Sequence, residues 1–136
     1  MRKAYILVLA AVLTVSCQES LEKRAAREAR LYTQKNCPSE LSETVVMDSL
    51  TFDEASRTLH YWYTFRGAAD SVGSINAEEA RATLLKEVNN TTSLADFKEA
   101  GFSFCYTYHS QKEPQRVLYE ARFEEKDYNA EGQANF

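Results

Sequence analysis

Two histidines, three cysteines and one tryptophan are the side chains of this 136-residue chain best suited to acid–base, nucleophilic, metal-binding or ring-binding chemistry. His60 and His109 each have the pKa range of a general base, but no Gly-x-Ser-x-Gly turn, paired-carboxylate spacing or reactive-cysteine setting accompanies them. They fall on different predicted strands, and the chain has no Cys-x-x-Cys or His-x-x-x-His pair. The sequence therefore predicts no metal site, no cofactor and no enzyme. The acidic pairs Glu78-Glu79 and Glu124-Glu125 fit no calcium loop and read as solvated faces. Trp62 is the remaining candidate. Beside His60 and Thr64 it stands either as an exposed anchor for a partner or as a cover over neighbouring side chains.

The strand that carries Trp62 is the clearest in the chain. Across Leu59-His60-Tyr61-Trp62-Tyr63-Thr64-Phe65, the residues Leu59, Tyr61, Tyr63 and Phe65 fall on one side at the strand period of two, with His60, Trp62 and Thr64 on the other. Phe102 to Tyr108 alternates in the same way, and Val117, Tyr119, Ala121 and Phe123 point to one side of a further strand with Glu120 and Arg122 opposite. An earlier strand within Leu41–Phe52 has an ambiguous register, because Val46, Leu50 and Phe52 share one parity while Val45 and Met47 share the other. If the aromatic sides are buried, parity leaves His60, Trp62, Thr64, Ser103, Thr107, Glu120 and Arg122 on an open face, and His60, Trp62, Thr64, Glu120 and Arg122 are its candidate binding residues.

Helices are expected over Ser20 to about Lys35, stopped by Asn36-Cys37-Pro38, and from an Asn76 cap to Asn89 and Asn90. A shorter helix follows a Ser93 cap and ends at Gly101. The basic residues of the first helix are interrupted by Glu19, Glu22 and Glu28, which favours an ion-paired solvated face over a membrane-binding one. Residues Asn129 to Phe136 are polar and expected to fray. The resulting order, α-β-β-α-β-β, predicts an α+β two-layer sandwich: a four-stranded antiparallel sheet with the helices on one face. The aromatic set itself is a second candidate, as the lining of a ligand groove between sheet and helices.

Ahead of this domain, Arg2 and Lys3 precede an apolar run, Ala4 to Val15, that is too short to span a bilayer as an anchor. The segment Leu13-Thr14-Val15-Ser16-Cys17 resembles the lipobox of bacterial lipoproteins, with Thr14 a departure from its usual aliphatic residue. The resemblance implies that residues 1–16 are a signal peptide, that Cys17 carries lipid, and that Gln18 directs the protein to the outer membrane. Without lipidation the same leader predicts a secreted protein. Assigning Cys17 to lipid leaves Cys37 and Cys105, an even pair in an oxidising compartment, with two readings: a disulfide, which is the one expected here, or two separate buried thiols.

The strand motifs Leu-x-Tyr-x-Tyr at Leu59 to Tyr63 and Gly-Phe-x-Phe-x-Tyr-x-Tyr at Gly101 to Tyr108 resemble those of uncharacterised small lipoproteins of Gram-negative, Bacteroides-like bacteria. These are packing motifs, so the resemblance implies fold and location and carries over no catalytic residue. A net charge of −4 supplies no field for a phosphate backbone, and nucleic acid is not expected as a partner. The expected function is that of a lipid-anchored envelope protein presenting a non-catalytic binding module to a protein or envelope ligand. The alternative is an accessory or inhibitor subunit of an envelope enzyme.

Overall fold

The computed structural model describes residues 18–132; the predicted leader with Cys17, and residues 133–136, lie outside the described residues. Ser20 opens helix α1 (Leu21–Asn36) by accepting a hydrogen bond from the Lys23 amide at 3.2 Å, one of the amides a first helical turn leaves unpaired. The apolar stripe of α1 is buried only at Ala25 and Ala29, so the helix backbone lies close to the sheet. Two of its basic residues, Arg24 and Arg27, pair with acids, as the interrupted charge pattern favours. Arg27 bridges to Glu19 at 2.8 Å, and Arg24 reaches Glu28 and Asp96.

Five strands follow: β1 (Ser39–Glu40), β2 (Val45–Asp53), β3 (Thr58–Phe65), β4 (Ser103–Ser110) and β5 (Val117–Phe123), lying side by side in chain order. Two expectations are corrected here. The sheet has five strands rather than four, because a two-residue β1 adds to the edge of β2. It is also mixed rather than antiparallel: β3 and β4 run parallel, with Leu59 beside Phe104 and Tyr61 beside Tyr106. The cause is the connection between them, which holds α2 (Ala77–Asn90) and α3 (Ala95–Glu99). Such a helical crossover carries the chain back to the end of the sheet where the previous strand began, so the next strand runs the same way.

The ambiguous register of β2 has a definite origin. A bulge at Asp48 sits between Met47, which pairs with Tyr63, and Ser49, which pairs with Trp62. The extra residue flips the parity midway along the strand. Val45 and Met47 before the bulge, and Leu50 and Phe52 after it, therefore all face the same side. Beyond the short β1, the edge of β2 is covered by α1. Thr33 Oγ1 donates to the Leu50 carbonyl at 2.8 Å and accepts from its amide at 2.9 Å.

A single core lies between the aromatic face of the sheet and the helices. It joins Ala25 and Ala29 of α1, Leu84 and Val88 of α2 and Phe97 of α3 to Leu59, Tyr63, Phe104, Tyr106 and Phe123. Because β3 and β4 are in register, their rings form a ladder, with centroids 4.6 Å apart for Tyr61 and Tyr106, 4.6 Å for Tyr63 and Tyr108, and 4.7 Å for Phe65 and Tyr108. That spacing is the distance between strands themselves, which the stacked rings inherit. Three arginines roof the core, Arg24 over Phe97, Arg57 over Phe102 and Arg81 over Phe123.

The C-terminal expectation also changes. Of the residues expected to fray, Asn129 to Gly132 close a helix, α4 (Glu125–Gly132), which is docked by Tyr128, buried against Phe104 with its hydroxyl donating toward the carbonyls of Lys98 and Phe102. The helix start is held by Asp127, which accepts from the Glu124 amide at 2.8 Å, the reach-back half of a capping box.

Cys37 and Cys105 are both free, and the expected disulfide is not formed. Cys37 ends α1 immediately before β1, packed toward the helix-side core, whereas Cys105 lies three strands away on β4 and points to the other face. At the usual strand spacing that is about 14 Å across the sheet, well beyond disulfide reach. Burial pushes the pKa of both thiols up.

Two outcomes follow from this packing. Tyr106→Ala should lower stability by about 3–5 kcal/mol in chemical denaturation, since it empties a site that is 1% exposed. Tyr61→Ala should cost less, because that ring is only half-buried at an opening in the core; equal losses would contradict the described packing. Thiol titration of the native, unreduced protein should find Cys37 reacting before Cys105, with both reactive after unfolding; a protected pair in the unfolded, unreduced chain would overturn the assignment of free thiols.

Candidate functional site

Two surfaces stand out. The first is the open face of the sheet, where parity places His60, Trp62 and Thr64 as the sequence predicts. Trp62 does not project. Its ring lies flat between two imidazoles, with centroids 3.6 Å from His60 and 5.7 Å from His109, and its Nε1 donates to Thr51 Oγ1 at 2.8 Å. Thr64 donates to the carboxylate of the bulged Asp48 at 2.6 Å.

On the neighbouring strands this face is less solvated than alternation suggests. Ser103, Cys105 and Thr107 of β4 are buried although the helices pack on the opposite side. Short side chains on a central strand sit in the valley between taller ones, here the rings of β3 on one flank and Glu120 and Arg122 of β5 on the other. Thr107 Oγ1 is the hub of a polar chain: it lies 2.6 Å from His60 Nε2, donates to Glu120 Oε2 at 2.7 Å, and is 4.0 Å from Cys105 Sγ. Arg122 donates to Thr58 Oγ1 at 3.0 Å. Burial is the main cause that holds the His60 pKa below its ordinary value, with Glu120 opposing it. Of the predicted face, His60 and Glu120 are thus brought together through Thr107. Trp62 stacks on His60, while Arg122 and Thr64 bond elsewhere. Parity already places Thr107 on this face; its meeting with His60 and Glu120, and the approach of Cys105, come from strand pairing, which sequence spacing does not reveal.

The second surface is a cleft between α1 and α2, about 260 Å³ in volume and open to solvent. Tyr61, Tyr106, Leu50 and Leu59 floor it, Ala25 and Ala29 form one wall, and Thr91 and Leu94, in the turn from the end of α2 into α3, form the other. The gap exists because α1 presents alanines to the sheet, leaving Tyr61 and Leu50 only half-buried, while Tyr106 beneath them is fully covered. Glu28, Glu87 and the exposed Tyr32 stand at its rim. Glu28 is paired with Arg24, whereas the Glu87 carboxylate has no ion-pair partner among the described residues. A second apolar hollow, about 430 Å³, lies over Phe65, Tyr108 and Tyr119 beside Ala80 and Leu84. The ring ladder thus runs beneath both, with Tyr63 stacked between Tyr106 and Tyr108. Burial pushes the Tyr61 and Tyr106 hydroxyls well up and that of Tyr108 up to about 12, so all three stay protonated, able to donate as well as accept.

The same arrangement of helices and sheet occurs in solved structures of low sequence identity. A Pseudomonas aeruginosa protein described as secreted superposes with a TM-score of 0.62 at 16% identity, over 82% of this chain and 99% of that one. The type II secretion system pilotin EpsS of Vibrio vulnificus gives a TM-score of 0.62 at 9% identity, covering 79% of this chain and 90% of its own. The pilotin AspS of Vibrio cholerae gives 0.57 at 11%, covering 78% and 90%. At these identities the likeness is one of fold, and neither genus bears on the Bacteroides-like resemblance. No curated protein matches the chain by sequence. The model of the domain of unknown function DUF8479 matches residues 20–119, from the cap of α1 to Tyr119 in β5, and the chain belongs to that family.

Proposed function

We propose that the protein is an exported, lipid-anchored envelope protein that acts without catalysis, as a binding module taking a short apolar segment of a protein partner in the cleft between α1 and α2. The observation that carries this reading is the cleft itself: half-buried Tyr61 and Leu50 at an opening beside α1, with exposed Tyr32 at the rim and the Glu87 carboxylate there, without an ion-pair partner among the described residues. Tyrosine combines large contact area with a hydroxyl able to meet a backbone group, which suits a peptide rather than a small charged metabolite. Glu87 selects for a segment that carries a basic residue. The fold shared with two type II secretion pilotins supports an accessory role in an envelope assembly.

The anchor and the cleft belong to one design. Cys17 precedes the Ser20 cap by three residues, a span of about 10 Å when extended, so a lipid on Cys17 keeps α1, one wall of the cleft, near the membrane surface. A single chain binds a bilayer only reversibly, and durable anchoring needs a second acyl group. Outer-membrane sorting, as Gln18 implies, completes the proposed location.

Mass spectrometry of the exported protein should find acylation at Cys17 as the mature N-terminus; an unmodified Cys17 thiol would refute the anchor. For the cleft, a photo-crosslinking side chain at Tyr32 in living cells should capture a protein whose yield falls in a Glu87→Lys background. Tyr32→Ala should weaken the purified complex by about 2 kcal/mol. Adducts formed instead only from Val117, exposed opposite His109 on the open face, would favour the alternative reading, an accessory or inhibitor subunit that uses the Trp62 side of the sheet.

A further inference from the structure

Three adjacent strands converge on one point of the open face. His60 on β3 is in register with Cys105 on β4, and Glu120 on β5 is opposite Thr107, two residues further along β4. The imidazole nitrogen, the thiol sulfur and a carboxylate oxygen lie within 4.8 Å of one another. We propose that His60, Cys105 and Glu120 form a binding site for a borderline-soft divalent cation of the zinc class.

The donor set decides the class of ion. One sulfur, one imidazole nitrogen and one carboxylate suit zinc, whereas calcium and magnesium take oxygen ligands. Metal–ligand distances of about 2.0–2.3 Å require donors closer together than 4.8 Å, so the three side chains must draw in by about an ångström. Glu120 is exposed, and its carboxylate can turn about the Thr107 hydroxyl that donates to it. His60 and Cys105 are held in place, His60 by the Trp62 ring stacked on it and Cys105 by burial on a central strand. Thr107 already aims two of the donors at a common point, since its hydroxyl contacts both His60 Nε2 and Glu120 Oε2. With an ion bound, that hydroxyl keeps its bond to Glu120 as an outer-shell partner, as such groups orient metal ligands elsewhere. Three protein ligands leave a fourth position for water or for a side chain of a partner. The site lies on the opposite face from the cleft and does not depend on the proposed peptide binding.

Cobalt(II) titration of the purified mature protein tests the site, because cobalt occupies zinc positions and reports its ligands optically. One cobalt per chain should bind, with a thiolate-to-cobalt charge-transfer band that zinc abolishes by displacement. Cys105→Ser should remove the band and Cys37→Ser should keep it. His60→Gln should weaken cobalt binding about tenfold or more. In parallel, zinc should slow alkylation of Cys105 in the unmodified protein but not in Glu120→Gln, a comparison that does not rely on the Cys105 variant folding. The proposal is overturned by an absent band with unchanged alkylation, or by a band that survives in Cys105→Ser and disappears in Cys37→Ser.

Discussion

The in-register parallel pairing of β3 and β4 is the constraint on which the rest of this structure depends. It sets aromatic residues of one strand beside aromatic residues of the next at the strand spacing, so that Tyr61, Tyr106, Tyr63, Tyr108 and Phe65 become a single stack. An isolated ring pair adds about 0.5–1.5 kcal/mol beyond its buried area, and a ladder repeats that gain along the sheet. The same register acts on the reverse side. By setting His60 beside Cys105, it creates the cluster on the open face with no contribution from local sequence.

The helices answer to that ladder unequally. α2 and α3 belong to the crossover that makes the pairing parallel, and Lys98 of α3 ties the two by donating to the carbonyls of Val88 and Asn89, which the end of α2 leaves unpaired. α1 is held by Thr33 to the edge of β2 and meets the sheet through alanines. Small contacts on one side and bulky ones on the other leave Tyr61 between them partly uncovered. The cleft is therefore a consequence of how thin the apolar stripe of α1 is, a feature already visible as Leu21, Ala25, Ala29 and Tyr32 in the sequence. The half-buried Tyr61 and Leu50 at this opening are what the proposed docking of a partner segment would use.

The open face follows a different logic. It is a polar network centred on Thr107, a residue 1% exposed and bonded on both sides. A buried hydroxyl so placed must be satisfied, and the groups that satisfy it are the ones able to coordinate a cation. Trp62, which by alternation alone looks like an anchor awaiting a partner, is instead the flat cover of this network, stacked between His60 and His109.

Much of the architecture was legible from local pattern. The cap at Asn76, the stop at Pro38, the left-handed Gly101 and the alternation of Leu59–Phe65, Phe102–Tyr108 and Tyr119–Phe123 each depend on a few consecutive residues, and each appears where those residues put it. The exceptions are Val117, which a pairing irregularity sets opposite His109 and leaves 48% exposed, and Ser93, which lies inside a 3-10 turn instead of capping α3. So does the segregation of aromatic and polar side chains to opposite faces. The bulge at Asp48 was visible only as a contradiction of parity, and α4 only as an acidic residue three positions after Glu124 that a polar tail disguised. What tertiary structure alone decided is whatever depends on which strands are neighbours. The parallel sense of β3 and β4 comes from the path of the crossover, and the separation of Cys37 from Cys105 comes from three intervening strand spacings. The meeting of His60, Cys105 and Glu120 comes from register across three strands. Alternation along a strand reports only the face on which a side chain lies; the neighbour across the ladder is set by chain path and pairing, which have no local signature.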